Sequence, residues 1–98
     1  MIEVRQSEVF ADWFSKLRDI RAKAQILRRI ERLEAGNPGD VAPIREGVSE
    51  MRINFGPGYR VYFSRHGDIL VLLLCGGDKS TQSRDVVRAL ELAKEFNR

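Results

Sequence analysis

The sequence has one cysteine, Cys75, and one histidine, His66. A single cysteine makes no internal disulfide, which fits a reducing cytosol. One residue of each kind argues against a zinc site, whose ligands are drawn from several such side chains. A catalytic Cys–His pair has little support. Cys75 ends the apolar run Ile69-Leu70-Val71-Leu72-Leu73-Leu74, where a buried, inert thiol is expected, and His66 falls in the turn-like Arg65-His66-Gly67-Asp68. No apolar run approaches the ~20 residues that span a membrane, and the opening "MIEVRQSEVF" has no signal-peptide pattern. Repeats, linkers and low-complexity segments are also missing. The expectation is a cytosolic protein without a metal, a cofactor or a membrane attachment.

What is present suits one small folded domain. The chain has 98 residues, 43% hydrophobic and 32% charged, within the range of globular proteins rather than disordered ones. A net charge of +3 and an isoelectric point near 9.4 weakly favour an anionic partner, although surface charge kept for solubility would look the same. Ile2 and Val4 alternate with polar residues as in a short strand. Ser7 offers an N-cap to a helix with Val9, Phe10, Trp13, Phe14 and Leu17 on its apolar side. A second helix is predicted from Ile20 to Ala35, with Ile26, Leu27, Ile30 and Leu33 inward, ended by Gly36 and Asn37-Pro38-Gly39. The short link between these helices predicts an antiparallel helical hairpin.

Beyond a loop through Asp40, Val41 and Pro43, two strands flank Gly56-Pro57-Gly58. The unalternating run Ile69–Cys75 predicts a strand covered on both faces, broken by Gly76-Gly77-Asp78-Lys79-Ser80. A final helix is predicted from about Thr81 to Phe96, with Val86, Ala89, Leu90, Ala93 and Phe96 inward. The order is β-α-α-β-β-β-α, an α+β fold with consecutive antiparallel strands at its centre.

The functional signal lies in the glycine-proline hairpin. Met51, Ile53, Phe55 and Tyr59, Val61, Phe63 alternate toward one face, so Arg52, Asn54, Arg60 and Tyr62 share the other. With Phe55 opposite Tyr59, Arg52 would face Tyr62 and Asn54 would face Arg60. Two adjacent guanidiniums need an anion, either a bound phosphate or a carboxylate such as Glu50 or Glu46. Lys79 is expected near the start of the last helix, itself favourable to anions, with Asp78 or Ser80 as cap. The spacing of a Walker A loop is not there. The outer side of the first two helices is basic, with Lys16, Arg18, Arg21, Lys23, Arg28, Arg29 and Arg32 against Asp19 and Glu31. That face is either a phosphate-tracking or acidic-partner surface or a solvated helix face.

Together, "GVSEMRINFGPGYRVYF" and "LLLCGGDKSTQSRDVVRA" resemble the addiction-module killer proteins of the RelE/ParE toxin superfamily, over nearly the whole chain. The resemblance implies an α+β toxin of a type II toxin–antitoxin pair, with an antiparallel sheet, an N-terminal helical hairpin and a C-terminal helix. It implies a HigB- or RelE-like ribonuclease that cuts mRNA on the ribosome without a metal. It also implies a helix-turn-helix antitoxin as partner, with operator DNA bound only through their complex. The alternatives it carries are a ParE-like toxin that inhibits DNA gyrase by protein contact, and a non-catalytic antitoxin- or nucleic-acid-binding module. Under the ribonuclease reading Arg60 would stabilise transition-state charge, Arg52 would orient the phosphate, and Lys79 would bind the backbone or supply a proton. Tyr62 and Tyr59 would stack on a base or move a proton, and Asn54, Arg28 and Arg32 would contact RNA. The C-terminal "LELAKEFNR" departs from the family pattern, since it has neither the tyrosine nor the histidine that serves related nucleases as an acid/base group.

Overall fold

Two patterns of apolar residues organise the chain: period two in the strands, and the inward stripes of three helices. The computed structural model describes residues 2–68 and 70–96. Its elements are β1 (Glu3–Gln6), α1 (Glu8–Ser15), α2 (Ile20–Glu34), β2 (Val41–Arg45), β3 (Val48–Ile53), β4 (Tyr59–His66), β5 (Leu70–Asp78) and α3 (Gln82–Phe96), with a 3₁₀ turn at Lys79–Thr81 before α3. The strands form one sheet in the order β1-β5-β4-β3-β2. β2 to β5 pair antiparallel, whereas β1 lies parallel to β5. This is the expected α+β architecture with one strand more.

The additional strand is β2, in the segment read as a loop. Pro43 obscures it, because proline cannot donate to a ladder. β2 is an edge strand, where that loss is tolerated. It joins β3 through a two-residue connection, Glu46-Gly47, with φ of 54° and 80°. Positive φ at both positions gives the twist that closes a tight hairpin.

The helix starts follow their caps. Ser7 Oγ accepts from Phe10 N at 3.0 Å and donates to the Leu74 carbonyl at 2.6 Å, so one hydroxyl both caps α1 and docks it on β5. Asp19 accepts from Arg21 N and Ala22 N at the start of α2. Lys23 Nζ donates to the Ser15 carbonyl and stands 5.5 Å from the Phe14 ring centroid, tying α2 to α1. Leu27, expected in the α2 stripe, is half exposed, while Ala22 is fully buried. Phe96, expected inward, is 41% exposed, with its ring against His66.

Both faces of the sheet are covered, giving two cores. On one face Phe10 of α1 and Ile26, Ile30 and Leu33 of α2 pack on Met51, Ile53, Val61, Phe63, Val71 and Leu73. On the other, Ala89, Leu90 and Ala93 of α3 pack on Val48, Tyr62, Leu72, Leu74 and Cys75. β5 serves both, as its apolar run predicts. Its register shifts opposite Tyr62 and Phe63, so Leu74 and Cys75 both turn to the α3 side.

Gly76 and Gly77 do not break β5, which continues to Asp78. They admit close neighbours, one from each face. A Cβ on Gly76 would stand 2.3 Å from the Trp13 ring, and a Cβ on Gly77 would stand 1.8 Å from Asp85 Oδ2.

Candidate functional site

Along β3 the side chains of Val48, Glu50 and Arg52 share the α3 face, and along β4 Arg60 and Tyr62 share it. Tyr62 is buried in the core beneath α3 and Glu50 is buried against Gln82 at the start of that helix, whereas Arg52 is exposed and Arg60 partly buried. Asp40, Arg52, Ile53, Asn54, Gly58, Arg60 and Lys79 line a recess of about 240 Å³. The α2–β2 loop, the end of β3, the Gly56–Gly58 turn, the start of β4 and the β5–α3 corner build it.

The turn closes with Gly58 N donating to the Phe55 carbonyl at 3.1 Å, and Gly58 has a φ of 80°. A Cβ there would stand 3.5 Å from both Arg60 Nη1 and Lys79 Cβ, so the glycine lies between these two cations. Asp78 positions Lys79. Its carboxylate accepts from Ser80 N at 2.8 Å and, with Thr81, completes a capping box on the 3₁₀ turn.

Arg60 is largely covered, its side chain 13% exposed. Nη1 donates to the Gly58 carbonyl at 3.0 Å. Nε faces Glu50 Oε1 at 3.8 Å, and the same oxygen lies 3.5 Å from Arg52 Nε. Arg52 Nη1 is 3.5 Å from Asp40 Oδ1. These separations exceed the ~2.7–2.9 Å of a charge-assisted hydrogen bond, so the guanidiniums are neutralised yet keep donors for a ligand. The carboxylate expected as an alternative to phosphate is thus present as Glu50, on the inner side of the arginines. Arg52, Arg60 and Lys79 against Asp40 and Glu50 leave the recess one positive charge in excess.

The register differs from the expected one. Arg52 is the Cα partner of Arg60 and Glu50 that of Tyr62, with Ile53 opposite Tyr59. Asn54 lies past the end of β3, in the connection rather than the ladder. The two arginines are therefore directly paired across the strands, while the inward and outward facing is as predicted, because a shift of two residues preserves it.

The other predicted residues lie apart from the recess. Tyr62 is fully buried against α3 and its hydroxyl has no hydrogen-bond partner among the described residues. Burial, with Glu50 nearby, pushes its pKa up, so it stays a protonated phenol. Tyr59 packs edge-on against Trp13, the centroids 6.3 Å apart. Arg28 and Arg32 are exposed on α2 and do not line the recess.

Arg29, assigned by pattern to the outer basic face, turns inward. Its Nη2 donates to the carbonyls of Pro38 and Asp40, each at 3.2 Å, and its Nη1 donates to the Arg52 carbonyl. This clamp fixes both the α2–β2 loop and the strand that carries Arg52. Burial lowers its pKa, with Asp40 opposing.

Asp40 and Gln82 are the site residues that pattern alone did not single out. Asp40 belongs to the loop signal Asn37-Pro38-Gly39-Asp40, which marks a turn but no partner. Gln82 lies in the polar start of α3, and its Nε2 reaches both oxygens of Glu50 at 3.3 and 3.4 Å. No group of three or more His, Cys, Asp or Glu side chains able to hold a metal ion occurs among the described residues.

An uncharacterized protein of Haemophilus influenzae is 49% identical over 95 residues, covering 97% of this chain and 96% of that one. The family model "Phage derived protein Gp49-like (DUF891)" matches residues 12–96, which include every residue lining the recess. The chain therefore belongs to the Gp49-like family of phage-derived proteins, a family of the RelE-type addiction-module killers, whose theme is the toxin of a toxin–antitoxin pair.

Proposed function

We propose that this chain is the toxin of a type II toxin–antitoxin module and that it cleaves mRNA at the Arg52–Arg60–Lys79 recess during translation. One observation carries the reading: three cations from three separate elements converge on one open recess of about 240 Å³. A purely structural arginine pair would have no use for Lys79 or for an open side.

In this reading a 2′-hydroxyl oxygen attacks the adjacent phosphorus, and the bond from phosphorus to the 5′-oxygen breaks. The products are a 2′,3′-cyclic phosphate and a 5′-hydroxyl end, the proton moving from the nucleophile to the leaving oxygen. Arg60, held by the Gly58 carbonyl, stabilises the charge that builds on the non-bridging oxygens. Arg52 binds the same phosphate, and Lys79 takes that phosphate or its neighbour. Asn54 offers an amide to the ribose or base at the rim. Tyr62 has no part in proton transfer here, since its hydroxyl is sealed beneath α3. The exposed Arg28 and Arg32 of α2 serve as a second contact for an anionic partner, RNA or the acidic segments of a helix-turn-helix antitoxin.

Induction of the protein is expected to arrest growth and to produce new mRNA ends within translated codons, mapped by primer extension. Arg60→Ala should abolish both without unfolding the domain, which is checked by circular dichroism because the change also removes one partner of the buried Glu50. An Arg60→Ala protein as toxic as wild type would sink the proposal. Intact mRNA together with lost supercoiling in a gyrase assay would move the target to gyrase.

A further inference from the structure

Glu50 is a buried carboxylate to which the proposed reaction gives no task. It precedes Arg52 by two residues on β3 and shares its face, and its side chain is 6% exposed. An apolar residue there would simply extend the core of Val48 and Tyr62. A buried carboxylate is costly unless it is paired and hydrogen-bonded, and Glu50 is both. Oε1 lies between Arg52 Nε and Arg60 Nε, at 3.5 and 3.8 Å, while Gln82 donates to both oxygens from the first turn of α3.

The Arg60 guanidinium is arranged around this anion. Nη1 is committed to the Gly58 carbonyl. Nε is buried without a hydrogen-bond partner among the described residues and is turned toward Glu50. The nitrogen left over for a ligand is Nη2.

We propose that Glu50 is a positioning residue for the arginine pair: braced by Gln82, its carboxylate holds the Arg60 and Arg52 guanidiniums from behind, so that a phosphodiester meets a site already arranged. The inference rests on the RNA-cleaving reading of the recess, and Glu50 itself touches no substrate. Two guanidiniums paired across neighbouring strands repel each other. A shared anion on their inner side holds them together without RNA and leaves their outer edges open. Charges fixed before the reaction need no reorganisation during it, which is where such a brace would act on rate rather than on binding. The brace also joins the start of α3 to the site.

The test uses Glu50→Gln, which keeps the shape and removes the charge. In ¹⁵N-labelled wild-type protein the Arg60 Nε–H resonance should be shifted from the free-arginine position and exchange slowly. In Glu50→Gln it should move to that position and exchange fast. A labelled single-stranded RNA should still bind within about threefold of wild type, while mRNA cleavage in a ribosome-containing translation reaction falls by roughly tenfold or more. Gln82→Ala should change both readouts in the same direction but less, and it carries the test if Glu50→Gln does not fold. An unchanged Arg60 resonance together with wild-type cleavage in the folded variants would overturn the proposal. Retained cleavage by Arg60→Ala would instead overturn the placing of the cleavage site at the recess, and absence of mRNA cleavage by the wild-type protein would overturn the ribonuclease reading; in either case the resonance would still decide whether Glu50 orients Arg60.

Discussion

At the residue scale, the informative positions are those where one atom more or one charge fewer has a definite physical consequence. Gly77 lies flat under Asp85, whose carboxylate accepts from Thr81 Oγ1 and is itself buried. With Oδ2 only 1.8 Å from where a Cβ would stand, alanine there must displace the Asp85 side chain or the start of α3. Gly77→Ala should destabilise the protein by about 2–3 kcal/mol, as overpacked sites do, measured by urea unfolding. Gly77→Ala combined with Asp85→Ala should lose less than the sum of the two single changes, because the colliding group is gone. Pattern reading identified this glycine pair as a turn, since sequence alone does not say which side chains will cross a strand.

At the scale of elements, the start of α3 depends on a carboxylate held in its ionised form. Hydrogen bonds from the Ser80 side chain first, and from the Ser80 and Thr81 backbone after it, hold Asp78 below its ordinary pKa of 3.8, against some desolvation. The folded state thus prefers the carboxylate more strongly than the unfolded chain does. The stabilisation is complete above pH 3.8 and is lost as pH falls through the lower folded value. Asp78→Asn should remove this part of the acid dependence, so the stability of variant and wild type should converge in acid and diverge above it. Equal differences at all pH values in chemical unfolding would contradict the assignment. Asp78 and Ser80 were both visible as caps in the sequence. β2 was not, because Pro43 counts against a strand until an edge position is known.

At the scale of the molecule, one sheet carries helices on both faces, and the Cα radius of gyration of 12.3 Å matches the ~12.6 Å expected for a compact chain of this length. No described helix is long and apolar enough to cross a membrane. Cys75 reports on the second core as a whole. Its thiol is buried under α3, donates to the Asp85 carbonyl at 3.6 Å, and has its pKa pushed up to about 12 by burial and then by Asp85. At pH 8 the native thiol should react with a disulfide reagent at least on the order of a thousandfold more slowly than the unfolded chain, from its thiolate fraction alone. Labelling rates across a urea series should follow global unfolding. Fast labelling of the native state would show that α3 opens independently of the sheet.

The sequence by itself determined the kinds of element other than β2, most of their caps, and which side of the hairpin its strand residues face. Those properties follow from local periodicity and from backbone groups a few residues apart. It also carried the arginine pair, because alternation survives a register shift of two residues. Only the tertiary structure decided that Tyr62 and Glu50 are buried beneath α3, that Arg29 turns inward to clamp the α2–β2 loop to β3, and that Lys79 reaches the same recess as the two arginines. The reason is distance along the chain: Gln82 meets Glu50 across 32 residues, and no local preference encodes where a helix laid over a sheet comes to its end.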